Sequence, residues 1–451
     1  MRFAPIANHR RAIGPLFDTC RKAFFHAVLS GLLLSGLAQS FAGDTTPPAP
    51  DARDATPEEM LKKPYYLTGD WFGLRPTLED RGVTFDLFEI FDVYGNVSGG
   101  EHRELEWFSR TRFTMDIDLN KLVGWNGADF HITSVTQQGD RFAKNGIDVY
   151  TNPSSIEGVQ TTRLAETWLE QKLFDDKVEI KIGKLDGVAE FGLQELGYTF
   201  MNDELRYVAN EEFTTGISFD PAGKPAAIIT FKPLEGPILS GFYAKTGVFA
   251  GNHDSAYYLD KTGLSFAIRD PAIMAAEIGW RTPEKSDLLP GVYKAGFHYN
   301  FGDTPRFNGA EAPDNYFIYG NASQTLHFFD AEKTRHLDAG FTLSSAPGSR
   351  NANYFEATAI VRVIGPCASR PKDEMGVGFI VSNFSHDFSE QSLSGGGPDL
   401  GGSEKTLELT YQVQANRWCI FQPDMQFVFD PQGNSNRGVV VILGLRTIVT
   451  F

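Results

Sequence analysis

Two spacings in this chain are of a kind that can do chemistry. Asp116, Asp118 and Asn120 stand at alternate positions, as the first oxygen ligands of a calcium-binding loop do. Such a loop turns on a glycine at its sixth position, and here that position is Lys121. Glu166 and Glu170 bring two carboxyls close in sequence, the starting material of a glycoside-cleaving acid pair. Along one extended strand they would lie about 13 Å apart, beyond the roughly 5–9.5 Å that such pairs use. A carboxylate on a neighbouring strand could still complete a pair. The sequence holds no Gly-x-Ser-x-Gly elbow, phosphate loop or metal-spaced histidine set. No catalytic residue, metal ligand or cofactor is therefore assigned.

Both spacings belong to a wider alternation. In "WFSRTRFTMDIDL", Trp107, Thr111, Phe113, Met115 and Ile117 share a face, opposite Arg110, Arg112, Thr114, Asp116 and Asp118. Period-two patterns of this kind mark strands. "VYKAGFHYNF" sets Tyr293, Phe297 and Phe301 against Lys294 and His298. "YFEATAIVRV" sets Phe355, Val361 and Val363 against Glu356 and Arg362, and "KTLELTYQVQ" sets Leu407, Leu409 and Tyr411 against Glu408 and Gln412. The chain ends on "GVVVILGLRTIVTF", with Leu443, Leu445 and Phe451 on one face and Arg446 on the other.

One hairpin can be read to the residue. A two-residue turn at Asp175-Asp176 pairs Leu173 with Val178 and Leu169 with Ile182. On the other face it sets Lys172 opposite Glu179 and Glu170 opposite Lys181. Opposite charges directly across add about 0.2–1 kcal/mol each, and a one-residue slip would put charges among the aliphatics.

Alternating strands build either a soluble sandwich or a barrel that turns its apolar face to lipid. The strands here run to about 9–13 residues, close to a tilted membrane span. Aromatics recur near the ends of the apolar face (Tyr293, Tyr299, Phe301, Phe427, Phe429), and charges recur on the polar face. These features favour an all-β, antiparallel transmembrane barrel. Seventeen candidate strands lie between Val83 and Phe451. Closure with both ends on one side needs an even number, so the weak candidate Glu212–Phe219 is dropped, giving 16 strands with 18 as the alternative.

The rest of the chain fits export. Arg2, Arg10, Arg11, Arg21 and Lys22 precede an apolar stretch from Ala23 to Ala38, and Ser40–Ala42 reads as a cleavage site, so residues 1–42 are assigned as a signal peptide. An uncleaved anchor is the alternative. Loss of this segment leaves 36 basic and 56 acidic residues, a net charge of −20, which argues against nucleic acid as a partner. Residues 43–64, rich in Pro, Asp and Thr, form a linker. Residues 65–82 make a short motif whose helix is expected over Thr77–Arg81, stopping at Gly82. Residues 83–451 are the barrel. Cys367 and Cys419 survive processing; an even pair in an exported protein points to a disulfide, with two free thiols as the alternative.

Three stretches, "LTGDWFGLRPTLEDRGV" (67–83), "LAETWLEQKLFDDKVEIKIGKLD" (164–186) and "RWCIFQPDMQFVFDPQG…GLRTIVTF" (417–451), resemble the carbohydrate-selective porins of the OprB family. Phe72 and Cys419 depart from the family pattern, which has glycine and leucine there. The resemblance implies an outer-membrane barrel, with both chain ends periplasmic, through which small sugars diffuse passively. It also implies surrounding lipid and lipopolysaccharide, the barrel insertion machinery as a partner that reads the terminal Phe451, and a homotrimer as one assembly open to it.

On this parity the lumen receives Arg110, Arg112, Asp129, His131, Glu166, Trp168, Glu170, Lys172, Lys181, Lys294, His298, Glu356, Arg362 and Glu408. Arginine forks and carboxylates would exchange hydrogen bonds with hydroxyls, and Trp168 would offer a stacking face. The segment Gly187–Glu211 is either a surface loop or one folded inward as a constriction, bringing Glu190, Glu195, Asp203, Glu204 and Arg206 to the pore. Rival readings are a secreted soluble sugar-binding β-protein and a hydrolase set in a barrel.

Overall fold

The computed structural model describes residues 66–139, 147–158, 160–208, 214–251, 260–268 and 271–451. The assigned signal peptide and linker, Tyr65, and residues 209–211 of the candidate constriction lie outside them.

Apolar and polar residues alternate along strands of 8 to 16 residues: β1 (Val83–Ser98), β2 (Leu105–Asp118), β3 (Ala128–Gly139), β4 (Thr161–Leu173), β5 (Val178–Leu185), β6 (Lys224–Phe231), β7 (Phe242–Phe249), β8 (Ile273–Arg281), β9 (Gly291–Asn300), β12 (Asn315–Phe328), β13 (His336–Ser345), β14 (Asn353–Ile364), β15 (Glu374–Phe384), β16 (Ser403–Asn416), β17 (Cys419–Phe429) and β18 (Val440–Thr450). Each pairs antiparallel with its neighbour, and β18 pairs back onto β1, closing a 16-stranded barrel. Thr304–Pro305 (β10) and Glu311–Ala312 (β11) form a separate small hairpin in the connection after β9. The described part of Glu212–Phe219 contributes no barrel strand.

The alternation decides which way each side chain points. On β18, Leu443 and Leu445 are 40% and 47% exposed on the outer surface, while Val440, Ile442 and Arg446 are buried inside. On β9, Tyr293 and Phe297 face out and His298 is buried. An apolar exterior around a polar interior is the arrangement of a barrel solvated by lipid. Among the described residues no helix is long and apolar enough to cross a membrane.

The β4–β5 hairpin has the register its charges dictate: Leu173 faces Val178, Glu170 faces Lys181, and Trp168 faces Gly183. Asp175 and Asp176 both take positive φ, 55° and 61°, as a two-residue turn of the primed type requires. One expected ion pair is replaced. Glu170 reaches Lys181 at 3.6 Å, but Glu179 binds Lys232 at 2.6 Å and Lys172 binds Asp129 at 2.8 Å. Each strand has two neighbours, and here the partner on the other side wins.

Short turns occupy the rim that carries the chain ends, and the long connections occupy the opposite rim. At the first rim a helix runs over Leu74–Asp80, starting three residues before the expected Thr77. It stops before Gly82, whose φ is 87° and whose missing Cβ leaves room for the Asp118 carbonyl. The Asp118 carboxylate accepts from the Lys121 main-chain N–H at 3.0 Å and Asp116 hydrogen-bonds His131 Nδ1 at 2.5 Å, so the calcium-like spacing is spent on a helix cap and a side-chain hydrogen bond.

Cys367 is an exposed free thiol and Cys419 a buried one, so the expected disulfide is not formed. Cys367 lies in the β14–β15 turn and Cys419 opens β17. Two strand spacings separate those turns, about 10 Å, and a disulfide requires Cα atoms within about 7 Å.

Candidate functional site: the lumen and its inward segments

The interior is narrowed by two stretches of chain. The longer comprises the described residues 187–208 and 214–223 between β5 and β6, which lie against the inner wall. Gly192 donates to Glu277 of β8 at 3.0 Å, Gln194 to the Ala322 carbonyl of β12 at 3.1 Å, and Thr199 to Glu374 of β15 at 2.6 Å. Leu196, Phe200 and Leu205 pack on Ile360 and Ile380, two aliphatics at inward positions of β14 and β15. The shorter stretch, 147–158, also lies inside. Tyr94 donates to the Pro153 carbonyl at 2.9 Å and Ser154 to Asp92 at 2.7 Å. The two stretches bind each other where Ser155 N–H meets the Met201 carbonyl at 2.7 Å.

What remains of the lumen is lined on one side by β2–β5. Arg110 Nη1 bonds Asp220 Oδ2 at 2.6 Å, and Arg112 bonds the other oxygen of the same carboxylate. Asp220 closes the long inward stretch, so two arginines on the wall tie its end in place. Burial alone would push the Asp220 carboxyl up; Arg112 and Arg110 hold it below the usual carboxylate range. Arg206 lies over the Tyr198 ring at 3.9 Å and near Tyr207 at 4.8 Å. Asp203 beside it is pushed up to about 6 by burial, against the opposing pull of Arg206 and Arg110. Burial also favours the neutral form of Glu190, but Lys181 and Lys245 overcome it and hold that carboxyl low; Lys181 bonds it at 2.6 Å.

Nearer the rim of the chain ends, His131 stacks on Trp168 with centroids 4.6 Å apart and planes at 6°, while Lys181 Nζ lies 4.3 Å from the Trp168 centroid. A pocket of about 300 Å³ lies there, lined by Asp116, Asp129, Trp168, Glu170 and Lys172.

Of the residues expected to line the lumen, Arg110, Arg112, His131, Glu166, Trp168, Glu170, Lys172 and Lys181 gather on β2–β5. Lys294 is on β9. Four expectations need correction: Glu356, Glu204, His298 and Glu408, the last 0% exposed with its oxygens accepting from the Met201 and Asn202 N–H groups. Glu356 is only 2% exposed and is turned to Asn353 and Ser382 on its own wall, so it does not face water. Glu204 is 6% exposed and accepts from the Asn152 N–H at 3.3 Å, joining the two inward stretches instead of lining an opening. His298 points inward but is covered by Phe191, Phe317 and Tyr319. Arg362 is held by Asp338 at 2.7 Å. Glu195 pairs with Arg281. Trp168 spends its ring face on His131 and Lys181, whereas Tyr198 is 51% exposed and is the more accessible ring. Asp220, Gln137 and Tyr198 were not expected. Asp220 sits in "FDPAG", which reads as turn chemistry.

A closed sixteen-stranded barrel, greasy outside and charged inside, narrowed by chain folded into its bore, defines a porin. The profile of the carbohydrate-selective porin, OprB family, matches residues 102–451. The chain belongs to that family, and is accordingly an outer-membrane channel for carbohydrates and not an enzyme. Porin B of Pseudomonas aeruginosa is 21% identical over 422 residues, covering 86% of this chain and 91% of that one. The high-pH structure of Pseudomonas putida OprB superposes with a TM-score of 0.78 at 21% identity, covering 86% of this chain and 99% of the other. The low-pH structure of the same protein gives 0.56 at 20% identity, covering 86% and 98%.

Proposed function

We propose that sugars cross this porin by passive diffusion through the space between the β2–β5 wall and the inward stretches. Arg112, held in place by Asp220 and the buried Arg110 behind it, exchanges hydrogen bonds with hydroxyls as the solute passes, and Tyr198 meets its C–H face. The observation that carries this reading is the shared carboxylate: Asp220 is held by two arginine forks on the barrel wall. Fixed donors and acceptors of both signs match the hydroxyl groups of a neutral sugar, and the same fixed charges hinder a bare ion. His131, Glu166, Glu170, Lys172 and Lys181 continue the path toward the rim of the chain ends. Glu190 and Arg206 bound it from the inward stretch.

In this reading residues 1–42 direct export, both chain ends face the periplasm, and Phe451 is read by the insertion machinery. Lipid and lipopolysaccharide surround the apolar exterior. Support comes from the basic-then-apolar N-terminus and from the short turns gathered at the rim of the chain ends.

The test is swelling of liposomes containing wild-type, Arg112→Ala or Asp220→Asn protein in a panel of mono- and disaccharides. Both variants should change the relative rates among sugars. Unchanged relative rates, with folded barrels, would overturn the assignment of this cluster.

A further inference from the structure

Both inward stretches are tied to the β16–β17 wall by side chains that bind their main chain. Glu404 and Glu408 stand four residues apart on the inner face of β16, at 1% and 0% exposure. Glu404 accepts the main-chain N–H groups of Tyr150 at 2.8 Å, Thr151 at 2.9 Å and Gln432 at 2.7 Å. Glu408 accepts those of Met201 at 2.7 Å and Asn202 at 3.0 Å. Neighbouring glutamines supply the complementary donors: Gln422 gives to the Thr199 carbonyl at 2.8 Å and Gln426 to the Pro153 carbonyl at 2.8 Å. Carboxylates take amides and amides take carbonyls, so the strip treats the loops as a sheet edge treats a new strand.

We propose that Glu404 and Glu408 are positioning residues that set the aperture of the channel without touching the solute. Their oxygens are occupied by main-chain donors and sealed from water, so a sugar cannot reach them. A carboxyl group accepting two or three main-chain bonds is a strong point of attachment, and a glutamine in its place keeps one acceptor while its NH₂ opposes the second donor. Because the contacts are to main chain, the side chains of the inward stretches are left to vary with the solute while the anchorage stays the same. The inference rests on the lumen being the permeation path, but its test uses potassium chloride and needs no sugar. A failure here therefore leaves the sugar reading standing, and the reverse holds too.

The experiment compares wild type with Glu404→Gln, Glu408→Gln and the double variant. It reads single-channel conductance in potassium chloride and amide hydrogen exchange of the reconstituted protein, each after the heat-sensitive mobility of a folded barrel is verified. Glu408→Gln should speed exchange at residues 201–202 and leave 150–151 slower, Glu404→Gln should do the opposite, and the double variant should raise conductance about two-fold with added open-channel noise. Should the double variant fail to fold, the two single variants carry the same reading through a smaller rise in conductance. Folded variants with wild-type conductance overturn the proposal, whether or not exchange changes. A conductance rise with uniform exchange across both stretches overturns it as well, since that is a loosened barrel and not a released anchor.

Discussion

Arg75 donates to the main-chain oxygen of Phe451 at 3.1 Å, joining residues 376 positions apart. The same guanidinium donates to the Phe85 carbonyl at 2.8 Å and lies over the rings of Tyr66, at 3.4 Å, and Trp71, at 4.2 Å. It thereby ties the start of the first barrel strand to the end of the last. Farther up the same seam, Asp92 and Arg446 are joined by two bonds of 2.8 and 2.7 Å with both side chains buried. The apolar run that ends the chain is thus the closing staple of the barrel. Its outer face meets lipid, and its one arginine turns inward to hold β1.

Arg75→Ala should loosen that seam. Two hydrogen bonds and two cation–ring contacts are lost, about 2–4 kcal/mol together. The temperature at which the folded band converts to the unfolded one on a gel should fall, and Arg75→Lys should restore less than half of the loss because an ammonium lacks the planar fork. An unchanged conversion temperature would show that the motif at 66–82 does not hold the seam.

Asp203 gives the channel a pH dependence. Burial pushes its carboxyl up to about 6, so it is neutral below that pH and charged above it. Reversal potentials in a salt gradient should move toward cation preference as pH rises from about 5 to 7, and Asp203→Asn should remove that step. The sign for stability is the reverse. A carboxyl raised above its unfolded value contributes fully below about pH 4, and that contribution is lost as pH climbs through about 6. Asp203→Asn should therefore be the more stable protein at pH 7.

Asp176→Gly should stabilise the β4–β5 hairpin by about 1 kcal/mol. The exposed Asp176 holds a φ of 61°, a conformation that costs an L-residue about that much and glycine little. Urea unfolding in lipid vesicles reads the difference, and a loss of stability would mean the aspartate makes a contact that matters more than its backbone.

Cys367 should react with a maleimide in the folded protein, while Cys419 should react only after unfolding. Intact mass should show two free thiols and no loss of two hydrogens.

Much of this was legible in the residues. The β4–β5 register follows from Glu170, Lys172, Glu179 and Lys181, because only one alignment keeps those charges off the aliphatic face. Parity excluded the segment 212–219 as a strand. The inward path of 147–158 and 187–208 was harder to read, since Phe191, Phe200 and Leu205 fit a covered surface loop equally well. The available signal was on the wall: Ile360 and Ile380, like Val428 and Ile442, stand at inward positions, and an aliphatic there needs something apolar to cover it. The anchoring role of Glu404 and Glu408 was hidden for a related reason. A strand pattern tells which way a carboxylate points, but not whether water, a solute or main-chain amides will meet it.

The central claim is that neutral sugars pass along a lumen lined by Arg112, which Asp220 and the buried Arg110 hold in place. Single-channel recording of the purified protein in potassium chloride, with mono- and disaccharides added in turn, tests it most directly. The account predicts sugar-dependent interruptions of the ion current whose strength differs among sugars and falls in Arg112→Ala. A current indifferent to every sugar at concentrations up to about the millimolar range typical of weak sites would contradict it.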